Sequence, residues 1–69
     1  MRAIQLRVNG ELMQLGGGSS IADLLAQRGL PVAGVAVEVN RTIIPKRLHA
    51  VRFLEDGDEV EIVTFVGGG

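Results

Sequence analysis

A chain of 69 residues with no cysteine and a net charge of −1 is one small domain, held by its hydrophobic core without disulfides or thiolate-bound metal. An apolar content of 46% fits a folded chain rather than a disordered one. Two Phe, no Tyr or Trp and a near balance of acids and bases speak against a nucleic-acid module, which shows a basic face or base-stacking aromatics. No apolar run reaches membrane-spanning length and Met1 to Gln5 lacks a signal-peptide pattern, so the expectation is a cytoplasmic protein that binds neither nucleic acid nor membrane.

In chain order, Ile4, Leu6 and Val8 alternate with Gln5 and Arg7, the period of a half-buried strand. Asn9-Gly10 suits a two-residue hairpin turn, and Glu11 to Leu15 forms the return strand. Its buried face stays open between Leu12 on one side and Met13 with Leu15 on the other, because a one-residue slip exchanges them. Gly16-Gly17-Gly18 lacks the Lys-Ser/Thr pair of a phosphate-binding loop and is read as a flexible connection. Ser20-Ile21-Ala22-Asp23 resembles a capping box, and Ile21, Leu24 and Leu25 form one apolar stripe. A helix of about eight to ten residues is predicted, closed by Gly29 and Pro31.

Val35, Val37 and Val39 give the clearest strand; Asn40-Arg41 turns it into a short extended piece ending at Pro45, which belongs at an edge or strand end. Lys46 to Ala50 is predicted to be a basic irregular segment anchored by Leu48, with the single histidine, His49, at the surface. Glu55-Asp56-Gly57-Asp58 has the Asp-Gly turn signature but not the ligand pattern of a calcium loop. No metal site is expected.

A final strand is predicted from Glu59 to Val66, with Val60, Ile62, Thr64 and Val66 on one face and Glu59, Glu61, Val63 and Phe65 on the other. With Val60 and Ile62 in the core, the outer face begins acidic and ends apolar, leading into Gly67-Gly68-Gly69. Such a surface reads as a docking patch of Val63 and Phe65, joined by Val66 at the strand's end, with Glu59 and Glu61 steering a basic partner. Residues 1–66 form the domain and 67–69 a flexible glycine tail. The tail, about 10 Å long when extended, suits threading into another protein's active site.

The order hairpin, helix, strand, short strand, final strand is compatible with an α+β fold of the ubiquitin-like β-grasp kind, a mixed four- to five-stranded sheet with one main helix packed across it. Four stretches carry a resemblance to a family: Val8-Asn9-Gly10-Glu11; Ser20 to Leu25; Val35 to Asn40 leading to Ile44-Pro45; and Leu54 to Val63 running into Phe65-Val66-Gly67-Gly68-Gly69. Over essentially its whole length the chain resembles the ThiS family of thiamine-biosynthesis sulfur carriers.

That resemblance implies a carrier with no catalytic residue and no bound cofactor. An E1-like adenylating enzyme of the ThiF type, using ATP with Mg, would convert the Gly69 carboxylate to an acyl-adenylate, while Gly67 and Gly68 occupy its channel. Sulfur from a cysteine desulfurase or another donor would then give a thiocarboxylate, which would pass sulfur to a thiazole synthase of the ThiG type. The competing readings are the molybdopterin-synthase small subunit or another β-grasp sulfur carrier, a ubiquitin-like protein modifier, and a non-covalent β-grasp binding module.

Overall fold

The computed structural model describes residues 2–31 and 33–65. Strands β1 (Ala3–Val8) and β2 (Glu11–Gly16) form an antiparallel hairpin, followed by helix α1 (Ile21–Gln27), β3 (Val35–Val39), β4 (Thr42–Ile43), a 3-10 turn over Lys46–Leu48, and β5 (Glu59–Thr64). The sheet has five strands in the order β2-β1-β5-β3-β4. β5 runs parallel to β1 and antiparallel to β3, so the last strand sits at the centre of the sheet. This is the mixed sheet with one helix expected from the element order.

Both hairpins close through residues in the left-handed region, Asn9 (φ 51) with Gly10 (φ 85) and Asn40 (φ 51) with Arg41 (φ 68). Positive φ at both central positions matches the right-handed twist of the strands they join. The register of the first hairpin places Leu6 opposite Met13 and Ile4 opposite Leu15. Leu15 is buried, Met13 packs at the edge of the core and Leu12 is exposed, which settles the face of β2.

The helix spans seven residues against the roughly eight to ten predicted, and it lies between the two caps that the sequence signals. At its start Ser20 and Asp23 form a reciprocal capping box: Asp23 N–H donates to Ser20 Oγ (3.1 Å), and Ser20 N–H donates to Asp23 Oδ2 (2.9 Å). At its end Gly29 (φ 70) turns the chain, its N–H donating to Ala26 O (3.0 Å) and that of Leu30 to Leu25 O (2.9 Å). That pair of reversed bonds satisfies the last carbonyls of the helix. Seven residues are too few for a helix to persist alone, so burial of Ile21, Leu24 and Leu25 stabilises it. These three side chains join Leu6, Val8, Leu15, Val35, Val37, Val39, Leu54, Val60 and Ile62 in one core.

Three expectations need correction. His49 is not at the surface: it is 2% exposed, while Leu48 is only half-buried. Its Nε2 lies 3.1 Å from Ile44 O, its backbone carbonyl accepts from Ala22 N–H (2.9 Å), and its Nδ1 has no partner among the described residues. His49, rather than Leu48, fastens the basic segment to the start of α1. The triple glycine is not merely loose: a Cβ on Gly17 would lie 2.5 Å from Arg2 O, the acceptor of the Gly17 N–H, and Gly18 has φ 88. The last strand ends at Thr64, and Val66 and the glycines 67–69 lie outside the described residues.

Candidate functional site: the last strand and the open face of the sheet

β5 is held on both flanks by asparagines that carry on where its neighbouring strands stop. On the β1 side, Asn9 N–H donates to Val60 O (2.9 Å), its Oδ1 accepts from Ile62 N–H (2.7 Å) and its Nδ2 donates to Ile62 O (3.2 Å). One side-chain amide thus replaces a further residue of β1. On the β3 side, Asn40 N–H donates to Glu59 O (2.8 Å), and its Oδ1 accepts from Glu59 N–H (3.0 Å). Both asparagines sit at a left-handed φ, which Asn tolerates better than most non-glycine residues.

Beyond Ile62 the strand has, among the described residues, a neighbour on one side only. Ala36 and Val35 pair with Val63 and Thr64, and Phe65 N–H donates to Gly34 O (2.8 Å), whereas the β1 register ends at Val60. Alternation along the strand turns the Thr64 backbone groups, like those of Ile62, toward the flank that β1 has vacated. The last residues of β5 therefore have one flank unpaired among the described residues.

The side chains follow the expected alternation. Val60 and Ile62 are buried, whereas Glu59, Glu61, Val63 (52% exposed) and Phe65 (68% exposed) face outward. Thr64, on the core side by register, is nevertheless exposed. The same open face carries Glu38 directly opposite Glu61, Ala36 opposite Val63 and Ile43 opposite Glu38, and of these Ile43 is strongly exposed. Of the expected docking residues, Val63, Phe65, Glu59 and Glu61 share this face, and Val66 lies outside the described residues. Sequence reading missed Glu38, Ala36 and Ile43, whose place on this face depends on strand order.

The acidic segment divides into two kinds of carboxylate. Asp56 Oδ1 accepts from Gln5 N–H (2.8 Å); Asp58, largely buried, accepts from Glu55 N–H (2.8 Å) and Asn40 Nδ2 (3.0 Å). These two fix the turn that delivers the chain into β5. Glu59 and Glu61 remain on the open face.

The helix start offers no anion cradle. The N–H groups of Ile21, Ala22, Asp23 and Leu24 donate to Arg52 O, His49 O, Ser20 Oγ and Ser20 O respectively. The described residues enclose no ligand cavity, gather no cluster of three or more metal-ligating side chains, and include no helix long and apolar enough to cross a membrane.

A helix packed on a mixed sheet, with a parallel pair of terminal strands at its centre, defines a β-grasp domain whose last strand carries the candidate site. The ThiS family model matches residues 6–69, and the chain belongs to the ThiS family. It is 30% identical over 66 residues to the sulfur carrier protein ThiS of Escherichia coli, covering 96% of this chain and 100% of that one. A crystal structure of the thiamine biosynthesis protein ThiS of Geobacter metallireducens superposes with a TM-score of 0.80 at 29% identity, covering 96% of this chain and 100% of the other. The chain is also 39% identical over 66 residues, 96% of its length, to a thiazole synthase of Paramagnetospirillum magneticum, of which it spans 20%.

Proposed function

We propose that this protein is a sulfur carrier for thiamine biosynthesis, that its chemistry occurs at the carboxylate of Gly69, and that partner enzymes supply the catalysis. The observation that carries the reading is the family match through Gly69, together with similarity to the sulfur carrier protein of Escherichia coli over that protein's full length.

A carboxylate is a poor electrophile: its charge repels nucleophiles and it has no leaving group. In this reading an E1-like adenylating enzyme lets a Gly69 carboxylate oxygen attack the α-phosphorus of ATP, forming a C–O–P linkage and releasing pyrophosphate. The Mg and the cations that stabilise the developing charge belong to that enzyme. A persulfide sulfur, originating from a cysteine desulfurase or another donor, then adds to the acyl carbon to give an acyl disulfide, and a second thiol takes up the donor sulfur as a disulfide and releases the thiocarboxylate. The C–S bond forms as the C–O bond to AMP breaks, the S–S bond is then cleaved by the thiol, and the thiocarboxylate goes on to a thiazole synthase.

Gly67 and Gly68 minimise obstruction around the reacting carbonyl, while Val63, Phe65 and Val66 dock the body and Glu59 and Glu61 guide a basic surface. Ordering the tail costs roughly 1–2 kcal/mol per residue, which body contacts of this kind must offset. A cytoplasmic setting belongs to the same reading.

Intact-mass measurement after incubation with an activating enzyme, ATP and a sulfur donor is the test. Exchange of one oxygen for sulfur, mapped to Gly69, is the expected result. Failure to form either adenylate or thiocarboxylate rejects the carrier reading, and accumulation of protein conjugates replaces it with a modifier.

A further inference from the structure

We infer that Glu38 and Glu61 together form the seat for a basic side chain of the thiazole synthase that receives the sulfur, so that docking relieves a charge conflict built into the free protein. The inference rests on the carrier reading above and names the chemistry of its partner.

Glu38 on β3 and Glu61 on β5 are direct antiparallel register partners, and both occupy outward positions of their strands. Opposed residues of such a pair have Cβ atoms about 4.5–5.5 Å apart, and like charges there are destabilising. Glu59 adds a third carboxylate to the same strand face. Arg7, the one basic residue among the outward strand positions, stands in register with Glu59 rather than with the pair, and its guanidinium donates to Gly10 O (3.3 Å). Asp56 and Asp58 are explained by the backbone N–H groups they accept from; Glu38 and Glu61 serve no such structural purpose among the described residues.

The pair is flanked by apolar surface on both sides. Ile43 adjoins Glu38 across β4, and the next outward row holds Ala36 opposite Val63, with Phe65 beyond. A protein that covers Val63, Phe65 and Ile43 must also take the two carboxylates out of water. That step is unfavourable unless the partner brings a cation with it. A guanidinium presents several N–H donors in a planar fork and can bridge two carboxylates at this spacing. The occupant is assigned to a thiazole synthase because, in the Paramagnetospirillum magneticum protein of that name, a region similar to this chain belongs to the same polypeptide. Covalent tethering holds two surfaces at high effective concentration, which is how a functional contact becomes fixed in one chain.

The test measures two quantities of opposite expected sign on E38Q and E61Q. Each variant should unfold about 1–8 °C higher than the wild-type chain, because the repulsion is removed. Each should also bind purified thiazole synthase at least about tenfold more weakly at low salt, with E38D retaining most of the affinity. Variants that bind as tightly as wild type overturn the inference and leave the carrier reading intact. If Gly69 acquires sulfur but the wild-type chain forms no complex with thiazole synthase, the assigned occupant is wrong. Concentration-dependent self-association that K46E abolishes would likewise overturn it, in favour of a second copy of this chain. Absence of sulfur exchange at Gly69 rejects the carrier reading itself.

Discussion

Asn9 makes the sharpest residue-level case, because it performs two tasks that one substitution can separate. Its backbone needs φ 51 for the turn, and its side chain binds both backbone polar groups of Ile62. Asn9→Gly keeps the turn conformation accessible and deletes the amide clamp, while adding freedom to the unfolded chain. The expected loss is about 1–2 kcal/mol in urea unfolding with an unchanged denaturant slope, since the Ile62 groups are part-buried and left without their partner. An unchanged midpoint would mean that water replaces the clamp fully. The turn was legible in the Asn9-Gly10 dipeptide; the clamp was not, because Ile62 is more than fifty residues away in the chain and becomes a neighbour only through the parallel β1–β5 pairing. His49 follows the same logic. A lone histidine in a basic segment reads as solvated, and its acceptor, the Ile44 carbonyl, carries no residue-type signal.

At the level of elements, the local signals and the mixed sheet with one helix were legible, whereas the residue pairings across that sheet were not. Hairpin, capping box and glycine stop are encoded within a few residues and appear where expected. Strand order is set by pairing over long separations; it decides that β5 lies between β1 and β3, and that Glu38 meets Glu61. The glycine cluster between β2 and α1 shows how this matters for mutation. Gly16 has open space where a Cβ would project and no positive φ, whereas a Cβ on Gly17 would meet the Arg2 backbone at 2.5 Å. Gly16→Ala should therefore change stability by less than about 0.5 kcal/mol. Gly17→Ala should cost about 1–3 kcal/mol, because backbone rather than a movable side chain must yield and the Gly17 to Arg2 hydrogen bond is strained with it. Parallel thermal melts of the two variants check this, and equal stabilities would show that the N-terminal segment shifts freely.

Across the whole molecule, stability and proposed chemistry occupy different surfaces. The core lies between α1 and the inner face of the sheet, while the outer face of β5 presents Val63 and Phe65 beside the carboxylates. Phe65 (68% exposed) and Val63 (52%) lie two residues apart on the same face, which makes them a patch rather than singly exposed side chains. The division predicts that substitutions near the end of the chain separate two measurements that core substitutions move together. Deleting Gly69 should abolish sulfur loading while shifting the unfolding free energy by less than about 0.5 kcal/mol. Phe65→Ala should leave stability within the same margin and weaken binding to the activating enzyme or the thiazole synthase by about 1–3 kcal/mol, the range of an aromatic anchor at an interface. Val60→Ala, by contrast, removes a side chain that is 1% exposed and should lower stability well beyond that margin, carrying loading down only in proportion to the unfolded fraction. If Phe65→Ala destabilises the fold as strongly as Val60→Ala, Phe65 belongs to the structural core and the docking role of the open face fails.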